Sequence, residues 1–224
     1  ERYRRNLAVL DALVGCLLSE LDALGLGGNT IVALTSDHGE EFLERGWLGH
    51  TVTLYDELIR VPLAIILPET EQPRSCERVV ETRALFDTVL DLCGIEPSGN
   101  AAGSLLPLIT DPEAPSPHPE AEAYSCAWLP TAELVTGKRV ELSALRKGNW
   151  KLIIDHRLNR SYLFDIEADP YESKDMSAER PDVFEQLTAN LQDWVCRMKA
   201  EGAESGSVTL DPPTRRKLEA LGYL

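Results

Sequence analysis

The stretch that decides the fold is 30-TIVALTSDHGEEF-42. Ile31 to Leu34 form a continuous apolar run without alternation, which predicts a strand at 30–35 covered on both faces, as in a mostly parallel α/β sheet. The run ends abruptly in Asp37, His38 and Glu40, three groups that can each hold a metal or move a proton. In open α/β sheets, ligand groups collect just beyond the carboxyl ends of strands. Asp37 and His38 stand there.

Adjacent residues on an extended backbone point to opposite faces, so this pair can share one ion only if the chain turns immediately after the strand. Gly39 permits such a turn. A carboxylate with an imidazole suits a borderline cation such as zinc or manganese, whereas calcium prefers oxygen ligands. An isolated Asp-His pair is equally compatible with a plain surface loop. Glu40 could orient a ligand or, like Glu41, serve as a structural or solvated carboxylate.

Upstream, Leu7, Leu10, Val14, Leu17, Leu21 and Leu24 recur at three- and four-residue spacing, predicting a helix over 2–24 that stops at Gly25-Leu26-Gly27-Gly28. A helical pattern that opens the chain at Glu1, without an initiator methionine, suggests a piece of something longer. Downstream, residues 40–60 make a long excursion of mixed polarity to a second buried strand, Val61 to Leu67, which Pro68 closes. "TRALFDTVLDLCG" (82–94) predicts an amphipathic helix with Leu85, Val89 and Leu92 on one face and Gly94 as its stop. The proline-, glycine- and alanine-rich stretch 95–123, which carries His118, is a surface connection and the expected boundary between two subdomains.

From about residue 122 the pattern changes to short β-branched or aromatic segments separated by turn residues, Lys147-Gly148-Asn149 and Leu158-Asn159-Arg160. These predict an antiparallel sheet. A helix at roughly 181–200, with Val183, Leu187, Leu191 and Val195 at i+4, would cover one face of it, and a short helix with Pro213 near its start ends the chain. In "RKGNWK" (146–151), Trp150 supplies the packing side and the Lys and Arg are expected in solvent.

The 224 residues carry 37 acidic and 22 basic side chains, a formal charge of −15, which argues against nonspecific nucleic-acid binding. No apolar run approaches the ~20 residues that a membrane helix needs. The five cysteines are scattered, odd in number and without a C-x-x-C pair, so they suggest neither a zinc knuckle nor a dense disulfide framework.

The ordered block "SDHGEEF…GH…TLYDELIRVPL" (36–63) resembles the carboxyl-terminal part of the sulfatases, in the alkaline phosphatase-like superfamily, and of bacterial-type members in particular. "LFDTVLDLCGIEP…GSLLPLI", "ALRKGNWKLI…YLFDIEADPYE" and the closing "LDPPTRRKLEALGYL" are similar to later segments of the same family. The resemblance implies part of an alkaline phosphatase-like α/β sandwich with mostly parallel buried strands, followed by a small antiparallel sheet with a packed helix. Residues 1–110 would be the end of the catalytic domain and 111–224 a small α+β subdomain.

For function, the resemblance implies metal-dependent hydrolysis of sulfate esters by the complete protein, acting on a sulfated small molecule or glycan. Asp37 and His38 match the positions that bind a divalent metal, usually calcium, with manganese or zinc as alternatives. The family's nucleophile is formylglycine, a hydrated aldehyde made from the first residue of C-x-P-x-R or S-x-P-x-R. Neither motif occurs here, so the nucleophile and two further carboxylates are expected in an N-terminal half, and this chain alone is expected to be inactive. His50 lies where many members carry a substrate lysine; it could hydrogen-bond a sulfate oxygen, protonate the leaving alcohol, or simply pack in its loop. Relatives with similar tails are often exported, which points to a periplasmic or extracellular site. Two alternatives stand beside this reading: a phosphoester or phosphonate-ester hydrolase of the same superfamily, and a noncatalytic remnant.

Overall fold

The computed structural model describes residues 1–50, 53–68, 73–96, 103–111, 114, 122–129, 140–202 and 211–220. They fall into two compact units, Glu1–Gly39 with Arg60–Ser75, and Glu40–Ile59 with Cys76–Leu224. This grouping follows packing, and cuts the chain differently from a boundary after residue 110. His118 and most of the proline-rich connection lie outside the described residues.

In the first unit, α1 (Arg2–Ala23) occupies the predicted span. It ends because Gly25 adopts a φ of +69°, which lets its N–H donate to the Asp22 carbonyl and the Leu26 N–H donate to the Leu21 carbonyl. Glycine takes that left-handed turn without a Cβ clash. No residue of α1 is buried, and Leu7, Leu10, Leu13 and Leu17 are all exposed. Strands β1 (Val32–Thr35) and β4 (Leu63–Ile66) pair in the register Val32↔Ile66 to Thr35↔Leu63.

Here the structure corrects an expectation: β1 and β4 run antiparallel, and β1 is mostly, β4 half, open to solvent. A continuous apolar run reports that both faces of a strand are built for cover. It carries no information about direction, which the connection decides. Parallel neighbours need a crossover, usually a long helix; the described residues between these strands form α2 (Asp56–Ile59) and a two-stranded ladder of β2 (Glu41–Phe42) with β3 (Leu48–Gly49).

The second unit is built on a meander of four antiparallel strands, β5 (Glu122–Leu129), β6 (Val140–Lys147), β7 (Trp150–Asp155) and β8 (Arg160–Asp165), in that spatial order. Period-two alternation divides its side chains between two layers. On one face Leu145, Leu152 and Leu163 pack against Leu187, Leu191 and Trp194 of α5 (Pro181–Gly202), as the i+4 spacing predicts. On the other, Ala144, Ile153 and Phe164 pack against Leu54, with Tyr55 and Ile59 alongside. Each fully buried leucine contributes about 1.5–3 kcal/mol, so the 54–59 segment is part of this core rather than a free loop.

Helix α3 (Ala84–Leu92) forms as predicted but buries a different face: Ala84, Asp87 and Thr88 are inside, and Val89 is exposed. Thr88 explains the choice. Its hydroxyl donates to the Ala84 carbonyl at 2.6 Å and accepts the Leu105 N–H at 2.8 Å, tying α3 to the start of α4 (Leu106–Thr110). The closing helix is α6 (Pro212–Ala220). All five cysteines are exposed, and no helix among the described residues is long and apolar enough to cross a membrane.

Candidate functional site

The turn after β1 is made by side chains. Thr35 Oγ1 donates to the Pro62 carbonyl at 2.9 Å, and Ser36 Oγ donates to the His38 carbonyl at 2.7 Å. The His38 N–H donates to Asp37 Oδ1 at 3.0 Å. Gly39, expected to supply the turn through its conformational freedom, is not among the residues with positive φ. Ser36, which the sequence reading passed over, closes the turn instead, and the signal for it was a serine two residues before the imidazole.

His38 Nδ1 lies 2.8 Å from the Gly39 carbonyl. A carbonyl can only accept, so Nδ1 carries the proton and the lone pair of the neutral ring is on Nε2. Nε2 in turn lies 3.8 Å from Asp37 Oδ2. Two donors at about 2.4 Å from one ion, set near a right angle, are separated by roughly 3.4 Å, so the pair needs only a small adjustment to share a cation. An Nδ1–H held by a backbone carbonyl is also how metal-binding imidazoles are usually oriented. The two side chains therefore fit a divalent ion as part of its ligand set. Among the described residues no group of three or more His, Cys, Asp or Glu side chains is placed to hold one.

His50 belongs to the second unit, where it follows β3 and is exposed. Its position is set by the Glu41↔Gly49 pairing, with Gly49 at a φ of +106° that a side chain would strain. Glu41 is fully buried, and Thr53 Oγ1 donates to its Oε1 at 3.4 Å. Glu40 donates its N–H to the Glu57 carbonyl at 3.0 Å.

That carbonyl leads to a group of charges sequence reasoning missed. Lys151, expected in solvent, is 1% exposed on the β7 face that carries Ile153. Its Nζ lies 2.6 Å from Asp56 Oδ1 and 2.7 Å from Glu172 Oε1. Glu172 Oε2 accepts the Asp56 N–H at 2.7 Å, at the start of α2. Burial pushes the Glu172 carboxyl above its usual range, against the opposing pull of the Lys151 ammonium. Arg45 completes the group: its Nε donates to Glu57 at 2.9 Å, its Nη2 to the Tyr171 carbonyl at 2.6 Å, and its guanidinium stacks 3.9 Å from the Tyr55 ring centroid. Asp56 and Glu57 are thus held by Lys151 and Arg45.

The chain is similar to known sulfatases. A family model described as Sulfatase matches residues 1–95. Arylsulfatase K of Bos taurus is 30% identical over 193 residues, 85% of this chain and 35% of that protein. The endo-4-O-sulfatase of Bacteroides thetaiotaomicron is 27% identical over 205 residues, 83% of this chain and 39% of that protein. A solved structure described in complex with its substrate D-glucosamine-2-N,6-O-disulfate is 25% identical, with a TM-score of 0.70 over 87% of this chain and 40% of its own. A 2-O GAG sulfatase superposes with a TM-score of 0.71 at 23% identity, over 92% of this chain and 44% of its own.

Residues 1–95 of this chain match the sulfatase family, and the chain is similar to sulfatases over most of its length. Its fold is that of the alkaline phosphatase-like sulfatases, including the small antiparallel sheet with its packed helix. The chain spans 34 to 39% of the length of the curated relatives it matches. Of the three site residues read from the sulfatase block, the structure brings Asp37 and His38 together in one turn and sets His50 at the end of the β2–β3 ladder.

Proposed function

We propose that the complete protein is a metal-dependent sulfuric ester hydrolase in which Asp37 and His38 hold part of a divalent cation's shell and His50 serves the sulfate ester. The observation that carries this reading is the turn itself, with Nδ1 of His38 committed to a carbonyl and Nε2 and Asp37 Oδ2 on the same side. Calcium is the first candidate because it is the family's usual ion, although an imidazole ligand also suits manganese or zinc. When bound, such a cation neutralises the charge that develops on the ester oxygens. Asp37 contributes the carboxylate charge, and His38 is held in the tautomer that accepts the ion. His50 hydrogen-bonds a sulfate oxygen or gives a proton to the leaving alcohol. Formylglycine as nucleophile, and a sulfated sugar as substrate, follow from the family and from the ligands named for its relatives.

Residues 1–110 then form the end of the catalytic α/β domain and 111–224 the small C-terminal subdomain, a division supported by the match of the family model to residues 1–95. The uncovered leucines of α1 support a surface that further polypeptide of the same protein covers.

The test is sulfate release by the full-length protein, with an aryl sulfate and an aryl phosphate compared at fixed calcium and manganese. Sulfate hydrolysis that is lost in Asp37→Ala and His38→Ala, together with their divalent-ion uptake, is the expected result. Turnover confined to the phosphate ester would replace this reading with a phosphoester hydrolase. Neither turnover nor ion uptake would leave a noncatalytic protein.

A further inference from the structure

The 40–59 excursion leaves the Asp37-His38-Gly39 turn at Glu40 and carries His50, yet its own ladder is only two residue pairs long. Two pairs cannot fix a twenty-residue segment. What fixes it is the second sheet. Lys151, on a central strand of the four, reaches through the face that holds Ile153 and Phe164 to bind Asp56 Oδ1 and Glu172 Oε1. Glu172 sits at a φ of +49°, a left-handed conformation that a glutamate rarely adopts, and from there its other oxygen takes the Asp56 N–H. Its carbonyl and that of Tyr171 both accept from Arg45, at 3.2 and 2.6 Å. The positive charge of Lys151 therefore bonds a segment about a hundred residues distant in sequence.

We infer that Lys151 and Glu172 are positioning residues for the 40–59 excursion, setting α2 and through it the backbone of Glu40 and the strand pair that presents His50. The path is continuous. Lys151 and Glu172 fix Asp56 at the start of α2, the Glu57 carbonyl in α2 accepts the Glu40 N–H, and Glu41 pairs with Gly49 beside His50. A lysine that served only to stabilise the sheet would not need two carboxylates from outside it. Replacing it by an apolar residue takes the ammonium from the partly buried Asp56 and leaves the fully buried Glu172 with the Arg45 guanidinium, 4.0 Å away, as its cation.

The catalytic part of this inference rests on the sulfatase reading, but its structural part does not, and the experiment separates them. Hydrogen exchange is measured on the full-length protein for wild type, Lys151→Met and Arg197→Gln. Arg197 forms an exposed pair with Asp193 and is the control. In Lys151→Met, amides of 40–59 exchange at least about tenfold faster, while those of α5 between Leu187 and Trp194 change by less than about twofold. Uniform acceleration, or none, overturns the inference. Where Lys151→Met does not fold, Glu172→Gln, which keeps the side-chain size, carries the same comparison with a smaller acceleration of about threefold. On a sulfate ester, Lys151→Met lowers kcat by about tenfold with a smaller change in KM. If kcat is unchanged while 40–59 loosens, the positioning has no part in catalysis and that half is overturned. If wild type hydrolyses no sulfate ester, the proposed function fails and the exchange result alone decides the inference.

Discussion

Removing the Ser36 hydroxyl tests whether the metal turn is pre-built by the chain or imposed by the ion. Ser36→Ala deletes one neutral hydrogen bond, 2.7 Å long, from Oγ to the His38 carbonyl. Such a bond is worth about 0.5–1.5 kcal/mol net, and because this one is only partly buried, water can replace part of it. The loss falls on the turned conformation, since an extended 36–38 segment does not make the bond, so the fraction of chain ready to bind falls by the same free energy. That corresponds to a dissociation constant for calcium or manganese raised by about two- to tenfold. It should not abolish binding, because the bonds from the His38 N–H to Asp37 and from Nδ1 to the Gly39 carbonyl remain. Asp37→Ala, which removes a charged ligand, should weaken binding far more. Isothermal titration of the full-length protein gives the numbers, with Ser173→Ala as a control that loses a serine side-chain bond in another, exposed turn. An unchanged constant in Ser36→Ala would refute the idea that the serine prepares the turn. An unchanged constant in Asp37→Ala would remove the metal site altogether.

Two further outcomes are expected of stability. Leu191→Ala opens a cavity under the sheet, where Leu191 is fully buried against Leu152 and Leu163, and should cost about 2–5 kcal/mol, read as a lower urea midpoint with little change in slope. Asp169 is mildly desolvated, which raises its pKa, but the N–H groups of Lys174 and Ser173 outweigh this and hold the carboxyl below its usual range. A depressed carboxyl contributes stability above its unfolded pKa of about 3.9 and loses it as pH falls through the lower folded value. Asp169→Asn should therefore be destabilised at pH about 7 by no more than about 1 kcal/mol, the exposure of the turn keeping the effect small, with the difference from wild type shrinking as urea melts are taken to pH about 3.

Much of the fold was legible because the informative patterns are local. The 3/4 spacing of Leu7 to Leu24 and the glycine after it set α1, and the turn pairs Gly148-Asn149 and Asn159-Arg160 set the meander. Gly148 and Asn159 take the positive φ values, +55° and +50°, that their residue types suggest. The direction of β1 against β4 was not legible, since the apolar run 31–34 encodes cover and nothing about which neighbour supplies it. The buried face of α3 was misread for a related reason: hydropathy favoured Leu85, Val89 and Leu92, but Thr88 bonds to the backbone of Leu105 and turns its own side inward.

Charged residues mark the limit of the sequence most clearly. Lys147 and Lys151 stand four apart around one hairpin and look alike in "RKGNWK". Lys147 stays near the surface beside Glu122 at 3.1 Å, whereas Lys151 is enclosed between Asp56 and Glu172. Alternation along β7 assigns Lys151 to the Ile153 face, and a reader trusting period two would have placed it inward. An unpaired buried ammonium is so costly that its burial needs a partner. Its partners lie 95 residues upstream and 21 downstream, in the segments "TLYDE" and "DPYE" that most resemble sulfatases. The two segments meet in this chain through the Asp56 N–H, which donates to Glu172, and through the Lys151 ammonium shared by their carboxylates, so the burial of Lys151 is decided by residues far from it in the sequence.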